Sequence, residues 1–327
     1  MTRRLKGIGL ISGGLDSILA VKVLQEQDLD LLGVVVVTPF FRHPRISDLS
    51  ATLNIPVRVI DIGARYLDML KDPRYGYGRN INPCIDCHGL MLREAGRLMD
   101  REGADFLFTG EVLGQRPMSQ RRDALRSVEN LSGYPGRVLR PLSARLLPPT
   151  LMESRGEINR DKLLDLQGRS RKRQMVLAEF YGIREYAQPG GGCMLTKEGF
   201  ARRLRLLLES RPHTTLREVE FLKHGRCFQL PRGGILIVGR QKIDNEHLEA
   251  LASENEAVLR VKDYPSPVGL LLSPVDASDL SSSAALVGSY SDAPADKPVR
   301  VEWRLGSRMG ILVVEKDEGN ALRKFLV

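Results

Sequence analysis

The chain of 327 residues is short of several things, and each shortage narrows what it can be. It has one tryptophan and only four cysteines, Cys84, Cys87, Cys193 and Cys227. In a large chain of this kind, the C-x-x-C spacing of Cys84 and Cys87 suggests metal or redox chemistry more than a structural disulfide. No apolar run approaches the roughly 20 residues a bilayer requires. Arg3, Arg4 and Lys6 are followed by Gly7 to Ser12, too short for a signal segment before the chain turns on glycine. A cytoplasmic protein with no membrane partner is therefore expected. The glycine turn also lacks the G-x-x-x-x-G-K-[ST] and G-x-G-x-x-G patterns of two large nucleotide-binding classes. There are no internal repeats and no long low-complexity tract. What remains is an ordinary globular composition, 42% hydrophobic and 27% charged, long enough for two or three domains.

Acidic residues are also in deficit, with 40 against 49 basic ones, a net charge of +9. The surplus is concentrated. Between Leu113 and Arg173 stand fourteen basic side chains and six acidic ones, a surplus of eight. Such a stretch, with Arg121, Arg122, Arg169, Arg171, Lys172 and Arg173, is expected either to meet a polyanion such as nucleic acid or to form a solvated basic surface.

Hydrophobic patterning predicts an α/β fold, a doubly wound parallel sheet followed by a smaller C-terminal α+β domain. Strands are expected at Gly7–Ile11, Leu31–Val37, Val57–Ile60 and Ala104–Thr109. Helices are expected at Asp16–Gln25, Ile46–Leu53 and Gly89–Arg101. That alternation is the signature of a doubly wound sheet. The valine-rich run Leu31–Val37 suits a strand covered on both faces. Beyond Pro148-Pro149, Lys162–Tyr181 reads as a helix carrying the Arg169–Arg173 cluster. Gln188–Gly192 reads as a flexible turn leading to Cys193. From His224 onward come short strands and turns, among them Arg226–Leu230, Ile235–Arg240, Leu270–Ser273, Ala284–Ser289, Val299–Arg304 and Ile311–Val314, with a helix at His247–Ser253. The expected division is 1–180, a linker 181–219 with Cys193, and 220–327.

The sharpest signal is Ser12-Gly13-Gly14-Leu15-Asp16-Ser17, between the first strand and the first helix. Glycines let backbone approach phosphate, the helix N-terminus offers free N–H groups, and Ser12 and Ser17 carry hydroxyls. Asp16 is out of place beside phosphate unless it holds Mg²⁺ or caps the helix. The sequence S-G-G-x-D-S in this context resembles the PP-loop ATP pyrophosphatases. That resemblance implies ATP as substrate, cleaved to AMP and pyrophosphate. Thr109-Gly110-Glu111-Val112-Leu113-Gly114-Gln115, with Ser119-Gln120, resembles the T-G-E-S-L-G-Q...S-Q block of the tRNA 4-thiouridine synthetases. The RNA-binding modules that precede the loop in those enzymes are not seen here. Thr109, Gly110 and Glu111 are thereby expected beside the nucleotide, in the crevice where such sheets bind ligands.

Asn82-Pro83-Cys84-Ile85-Asp86-Cys87-His88 resembles the N-P-x-x-x-C-N segment of the tRNA 2-thiouridylases, with Cys84 in place of Asp and His88 in place of Asn. The resemblance makes Cys87 catalytic. A second working cysteine is matched by Cys193 in Gly191-Gly192-Cys193-Met194. Three readings of the thiols stay open. Cys84, Cys87 and Cys193 could hold a 4Fe-4S cluster with one open iron. Cys87 and Cys193 could carry a persulfide. A zinc site would take His88 or Cys227 as a fourth ligand. Cys227, inside an expected strand, is otherwise a small core residue.

Residues 220–327 resemble the NFACT-R RNA-binding domain, through His224-Gly225-Arg226-Cys227-Phe228 and Val238-Gly239-Arg240-Gln241-Lys242...Asn245-Glu246. Arg226, Arg240 and Lys242 would contact phosphates. The combined expectation is a tRNA-thiolating enzyme using ATP and Mg²⁺. Its implied partners are tRNA and a sulfur donor, either sulfide or a persulfide-carrying protein. A homodimer is compatible with the sequence. The alternatives are a PP-loop ligase acting on a small molecule and a non-catalytic RNA-binding protein.

Overall fold

A computed structural model gives the architecture and describes residues 3–41, 46–187, 192–316 and 324–327. The chain divides into two compact units, Met1–Thr196 and Lys197–Val327.

The first unit is built on a five-stranded, wholly parallel sheet in the order β3-β2-β1-β4-β5. The strands are β1 (Leu5–Leu10), β2 (Leu29–Val37), β3 (Val57–Asp61), β4 (Phe106–Thr109) and β5 (Val138–Leu139). Helices α1 (Leu15–Gln25), α2 (Ile46–Leu53), α3 (Gly63–Lys71), α4 (Cys84–Arg101), α5 (Arg122–Ser132), α6 (Leu151–Ser154) and α7 (Lys172–Phe180) surround it. Side-chain alternation along the strands feeds two cores. Leu31, Val35, Phe106 and Phe108 pack with Ile18, Leu19 and Leu49 on one face. Leu32, Val34 and Leu107 pack with Leu92, Ala95, Met99 and Val128 on the other. Both faces are thus covered, and the parallel doubly wound expectation holds. Strands are added outward from β1 to β3 on one side and from β4 to β5 on the other, so the ends of β1 and β4 flank a switch point where such sheets take ligands.

The second unit contains α8 (Glu198–Ser210), α9 (Leu216–Phe221), α10 (Lys242–Leu251) and α11 (Ala277–Ser289). Its strands are β6 (Arg226–Gln229), β7 (Ile235–Val238), β8 (Ala257–Val261), β9 (Gly269–Leu271), β10 (Val299–Leu305) and β11 (Arg308–Val314). They form an antiparallel six-stranded sheet in the order β11-β10-β8-β9-β7-β6. Phe228, Leu236, Leu259 and Val301 form its core with Ala284 and Val287 of α11. Among the described residues, no helix of either unit is long and apolar enough to cross a membrane.

Several expectations change. Ala284–Ser289 is helix, not strand. Its helix starts upstream, where the Asp276 side chain accepts hydrogen bonds from the Ser278 and Asp279 backbone N–H groups. Lys162–Tyr181 is not one helix, because Gly168 has φ +81° and its N–H donates to the Leu113 carbonyl at 2.8 Å. Only Lys172–Phe180 is helical there, so Arg169 lies outside the helix and Arg171 caps it. Helix α3 went unread, and α4 begins at Cys84 rather than Gly89. Within the stretch expected as a linker, Ala187 bridges Gly14 and Cys193 bridges Phe41, so both of these residues lie against the first unit. The Gln188–Gly191 part of the expected flexible turn lies outside the described residues.

Candidate active site

The loop from Ser12 to Ser17 curls back on itself at the start of α1. Gly13 adopts φ +74°, the left-handed region open to glycine. The Gly14 carbonyl accepts from the N–H groups of Ser17 at 3.0 Å and Ile18 at 3.2 Å. Ser17 Oγ donates to the same carbonyl at 2.8 Å, and Gly14 N–H donates to Ser12 Oγ at 3.3 Å. No side chain caps α1, which leaves its first N–H groups for an anion. Two neighbours hold the loop in shape. Ala187 N–H donates to the Gly13 carbonyl at 2.9 Å. On the β4 side, a Cβ on Gly110 would stand 2.5 Å from the backbone of Asp16 and Ser17, so the two chains touch only because residue 110 is glycine.

Asp16 is held by Gln115, whose Nε2 donates to Oδ2 at 3.0 Å. The other Asp16 oxygen, Oδ1, and Gln115 Oε1 are buried with no hydrogen-bond partner. Two unpaired oxygen acceptors beside a phosphate loop are the donor chemistry of a hard cation, so these residues fit Mg²⁺.

Glu111 is employed differently from the expectation of nucleotide contact. It ends a buried network in which every carboxylate oxygen has a protein partner. Oε1 accepts from His88 Nδ1 at 2.7 Å; Oε2 accepts from Arg140 Nε at 3.0 Å and Thr109 Oγ1 at 3.1 Å. Burial opposes ionisation of Glu111, but the Arg140 charge and the hydrogen bonds from His88 and Arg140 outweigh it and hold the pKa down at about 2. An ionised carboxylate only accepts, so His88 carries its proton on Nδ1. Arg140 also meets Glu129 Oε2 at 3.1 Å and the Leu125 carbonyl at 3.1 Å. Since His88 follows Cys87 in α4, the network fixes the cysteine helix to the end of β4.

Cys84 and Cys87 occupy the first turn of α4. Asn82 Nδ2 donates to Cys84 Sγ at 3.2 Å, and Asp86 accepts from the N–H groups of Arg74 and Tyr75. Cys193 pairs with Phe41, and Asn80 Nδ2 reaches the Thr196 carbonyl at 2.7 Å, which ties the two cysteine segments together. Burial pushes the Cys87 thiol far up, with Tyr66 and Arg116 pulling it down and Cys193 and Cys84 pushing it up. Burial likewise raises Cys193, against the N–H groups of Leu195 and Thr196, with Cys84 raising and Arg116 lowering. All four cysteines are free.

The three thiols of the first unit therefore share one electrostatic neighbourhood. Thiolate chemistry suits a cluster, yet among the described residues no three His, Cys, Asp or Glu side chains are grouped to hold a metal ion. Cys227 lies in β6 of the second unit, where burial raises its pKa to about 12 despite the nearby Arg203 charge. It is a core residue.

Tyr66, Arg116, Gln115 and Arg140 are the groups sequence reasoning missed. Gln115 lay inside a quoted motif without a role, and Arg116 was one charge in a basic stretch. Tyr66 carries no local signal.

The basic residues are dispersed in role. Arg173 pairs with Asp165 at 2.6 Å, Arg240 with Asp244 at 2.9 Å, and Arg226 lies over the Tyr290 ring at 4.9 Å. Lys242 stands 3.8 Å from Glu246 on an exposed face. Arg121 Nε donates to the Pro117 carbonyl at 2.7 Å. Arg171 is half-buried, with an unpartnered Nε. Arg122, Arg169 and Lys172 are exposed.

Residues 225–325 match the family model described as the NFACT protein RNA binding domain. The matched stretch lies within the second unit. Its six-stranded sheet is the framework of that domain, and Arg226, Arg240 and Lys242 lie within it. A stretch of 127 residues is 29% identical to an uncharacterized protein of Methanocaldococcus jannaschii, covering 38% of this chain and 45% of that protein. A stretch of 115 residues is 30% identical to a tRNA-specific 2-thiouridylase of Clostridium botulinum, covering 31% of this chain and 32% of the enzyme. The alignments thus span less than half the length of these relatives. Among solved structures, a 4-thiouridine synthetase–RNA complex with bound ATP aligns over 54% of this chain and 51% of its own, at 18% identity and TM-score 0.33. About a third of the chain is thus similar to part of a tRNA-specific 2-thiouridylase, and residues 225–325 are similar to an RNA-binding domain.

Proposed function

We propose that this protein is an ATP-dependent tRNA uridine thiolase that forms an adenylated base and releases AMP and pyrophosphate. The observation that carries the reading is that one short stretch of chain meets both the Ser12–Ser17 loop and the support of a cysteine. Ala187 N–H donates to the Gly13 carbonyl at 2.9 Å, and Cys193 bridges Phe41. Beside the loop, Gln115 Nε2 donates to Asp16 Oδ2 at 3.0 Å, while Asp16 Oδ1 and Gln115 Oε1 stay buried and unpaired.

The Ser12–Ser17 loop would hold the pyrophosphate of ATP, with Asp16 and Gln115 on Mg²⁺, which supplies charge neutralisation when bound. The uracil carbonyl oxygen attacks the α-phosphorus and pyrophosphate leaves. A persulfide sulfur on Cys193 then attacks the activated ring carbon, and AMP departs with the former carbonyl oxygen. Cys87 takes the Cys193 sulfur, freeing the thiouridine and leaving a Cys87–Cys193 disulfide that a thiol reductant reopens. Adenylation matters because AMP is a far better leaving group than a bare carbonyl oxygen. The target base must be unstacked to enter.

The test is a reaction of the protein with ATP, unmodified tRNA and a persulfide donor, following AMP, pyrophosphate and thiolated nucleoside by mass spectrometry. Cys87→Ala and Cys193→Ala should lose the thiolated nucleoside but keep pyrophosphate release, whereas Asp16→Ala should lose both. Formation of ADP, or AMP formation indifferent to tRNA, would sink the proposal. Brown anaerobic protein containing iron and sulfide, with Cys84 equally essential, would replace the persulfide route by a cluster.

RNA binding should be electrostatic and should fall on the exposed cations. Changing Arg122, Arg169 and Lys172 to glutamine should weaken tRNA binding and reduce the slope of log affinity against log salt by about 0.7–0.9 per lost contact. Fluorescence anisotropy from about 50 to 200 mM salt reads both quantities. Arg173→Gln, which removes a side chain already paired with Asp165, should change the slope less. An unchanged slope in the triple variant would make that surface a solvated face.

A further inference from the structure

Helix α7 lies against α1, and Ala178 enters the core that Ile18 and Leu19 of α1 line. Just past the last turn of α7, the Tyr181 hydroxyl donates to the carboxylate of Glu26, which closes α1. Just ahead of α7, Gly168 N–H donates to the Leu113 carbonyl at 2.8 Å, two residues before Gln115 reaches Asp16 in the first turn of α1. The two helices therefore run side by side in the same direction. Ten residues separate Arg171 from Tyr181, and ten separate Asp16 from Glu26. At about 1.5 Å per residue, the first turn of α7 stands about level with the Ser12–Ser17 loop.

That turn is built of donors. No side chain caps it and none of its residues is acidic, which leaves its leading N–H groups for a ligand. Arg171 stands at its head, with Lys172 exposed beside it. Arg173 is paired with Asp165, which Arg145 also meets at 3.2 Å. Two further donors are enclosed and unpaired, Arg171 Nε and Gln174 Nε2. Gln174 is 2% exposed and third in the helix, where side chains lean back toward the N-terminus. The unpaired atoms of Asp16 and Gln115 are acceptors and suit a cation; these are donors, one of them charged, and suit an anion.

We propose that the first turn of α7, with Arg171 and Gln174, is a second phosphate site beside the Ser12–Ser17 loop. The phosphate belongs to the nucleotide or to the RNA backbone. The recognition chemistry is the same for both, anionic oxygens taken by a guanidinium, an amide and helix N–H groups. The assignment rests on the proposed reaction only for the choice of molecules offered to the site.

Full-length protein is titrated in Mg²⁺ buffer with ATP and with pyrophosphate by calorimetry, and with unmodified tRNA by fluorescence anisotropy over a salt series. The variants are Arg171→Gln and Gln174→Leu. Pyrophosphate reads the Ser12–Ser17 loop, so its affinity should not change. If the nucleotide brings the phosphate, each variant should weaken ATP by at least about tenfold, the loss of one hydrogen bond to a charged group. If the RNA brings it, ATP binding is untouched, tRNA binding weakens, and Arg171→Gln lowers the salt slope by about 0.7–0.9. Gln174→Leu gives a second readout. It removes an enclosed, unpaired amide, so its thermal midpoint should equal or exceed that of wild type even as affinity falls, whereas a purely structural glutamine would melt lower when replaced. If that variant does not fold, Arg171→Gln alone decides. Unchanged affinity for both ATP and tRNA overturns the assignment, and an equal loss of pyrophosphate affinity overturns it by tracing the effect to the loop. Phosphate binding as expected in a protein that thiolates no RNA would sink the thiolation reading and leave the site in place.

Discussion

Gly110→Ala is expected to abolish AMP and pyrophosphate formation while the protein remains folded. The added Cβ would meet Asp16 C and O and Ser17 N at 2.5 Å, well inside van der Waals contact. These neighbours are backbone at the first turn of α1, so no rotamer change relieves the clash. Either β4 or the phosphate loop must shift, and α1 is anchored by Leu15, Ile18, Leu19 and Leu24 in the core. The loop yields more readily, and with it move Ser12, Ser17 and the Asp16 carboxylate. Misplacement of a reacting group by about 1 Å costs on the order of 10²-fold in rate. Steady-state pyrophosphate release measures the effect, and circular dichroism checks the fold. Activity within about threefold of wild type would mean the loop does not hold the phosphates in the shape described.

Glu111→Ala should give the largest loss of stability of any single change at the site. It strips Arg140, only 4% exposed, of one carboxylate partner and leaves His88 Nδ1 without an acceptor. Breaking a buried ion pair from one side costs about 3–5 kcal/mol. For a unit of this size that corresponds to a fall in Tm on the order of 10 °C. The network also predicts a pH dependence. The folded pKa of Glu111 is depressed, to about 2 from 4.5, so its stabilisation is fully present above about pH 4.5 and is lost as pH falls toward 2. Thermal melts at successive pH values between about 6 and 3 should therefore converge for wild type and Glu111→Gln as acid is added. A constant gap would place the acid sensitivity elsewhere.

The parts of this site that were legible in the sequence are those where backbone does the chemistry. A loop that must wrap phosphate leaves a mark in adjacent residues, and Ser12 to Ser17 carries it. The paired cysteines of α4 were legible because their spacing is local. What escaped depends on distance along the chain. Tyr66 acquires its place from Phe40 and Phe41, whose rings it meets, and a lone aromatic in a short amphipathic helix has no pattern to betray it. Arg140 looked like surplus charge until Glu111 closed on it. The parallel sheet followed from alternating apolar runs. The Ala284–Ser289 strand failed because its apolar tract was read without the Asp276 cap eight residues earlier. The helix expected over Lys162–Tyr181 failed at Gly168, whose left-handed backbone no helix accepts.

The bridge between Gly14 and Ala187 has one more implication, and it is a matter of length. Only six peptide steps lead from Ala187, hydrogen-bonded to the phosphate loop, to Cys193. An extended chain covers at most ~3.6 Å per residue, so those steps span no more than about 22 Å. In the proposed reaction the covalent chain would act as a leash: a sulfur borne on Cys193 would stay within reach of an adenylate made at the loop, and a reactive base ester would not have to outlive a journey between distant chambers.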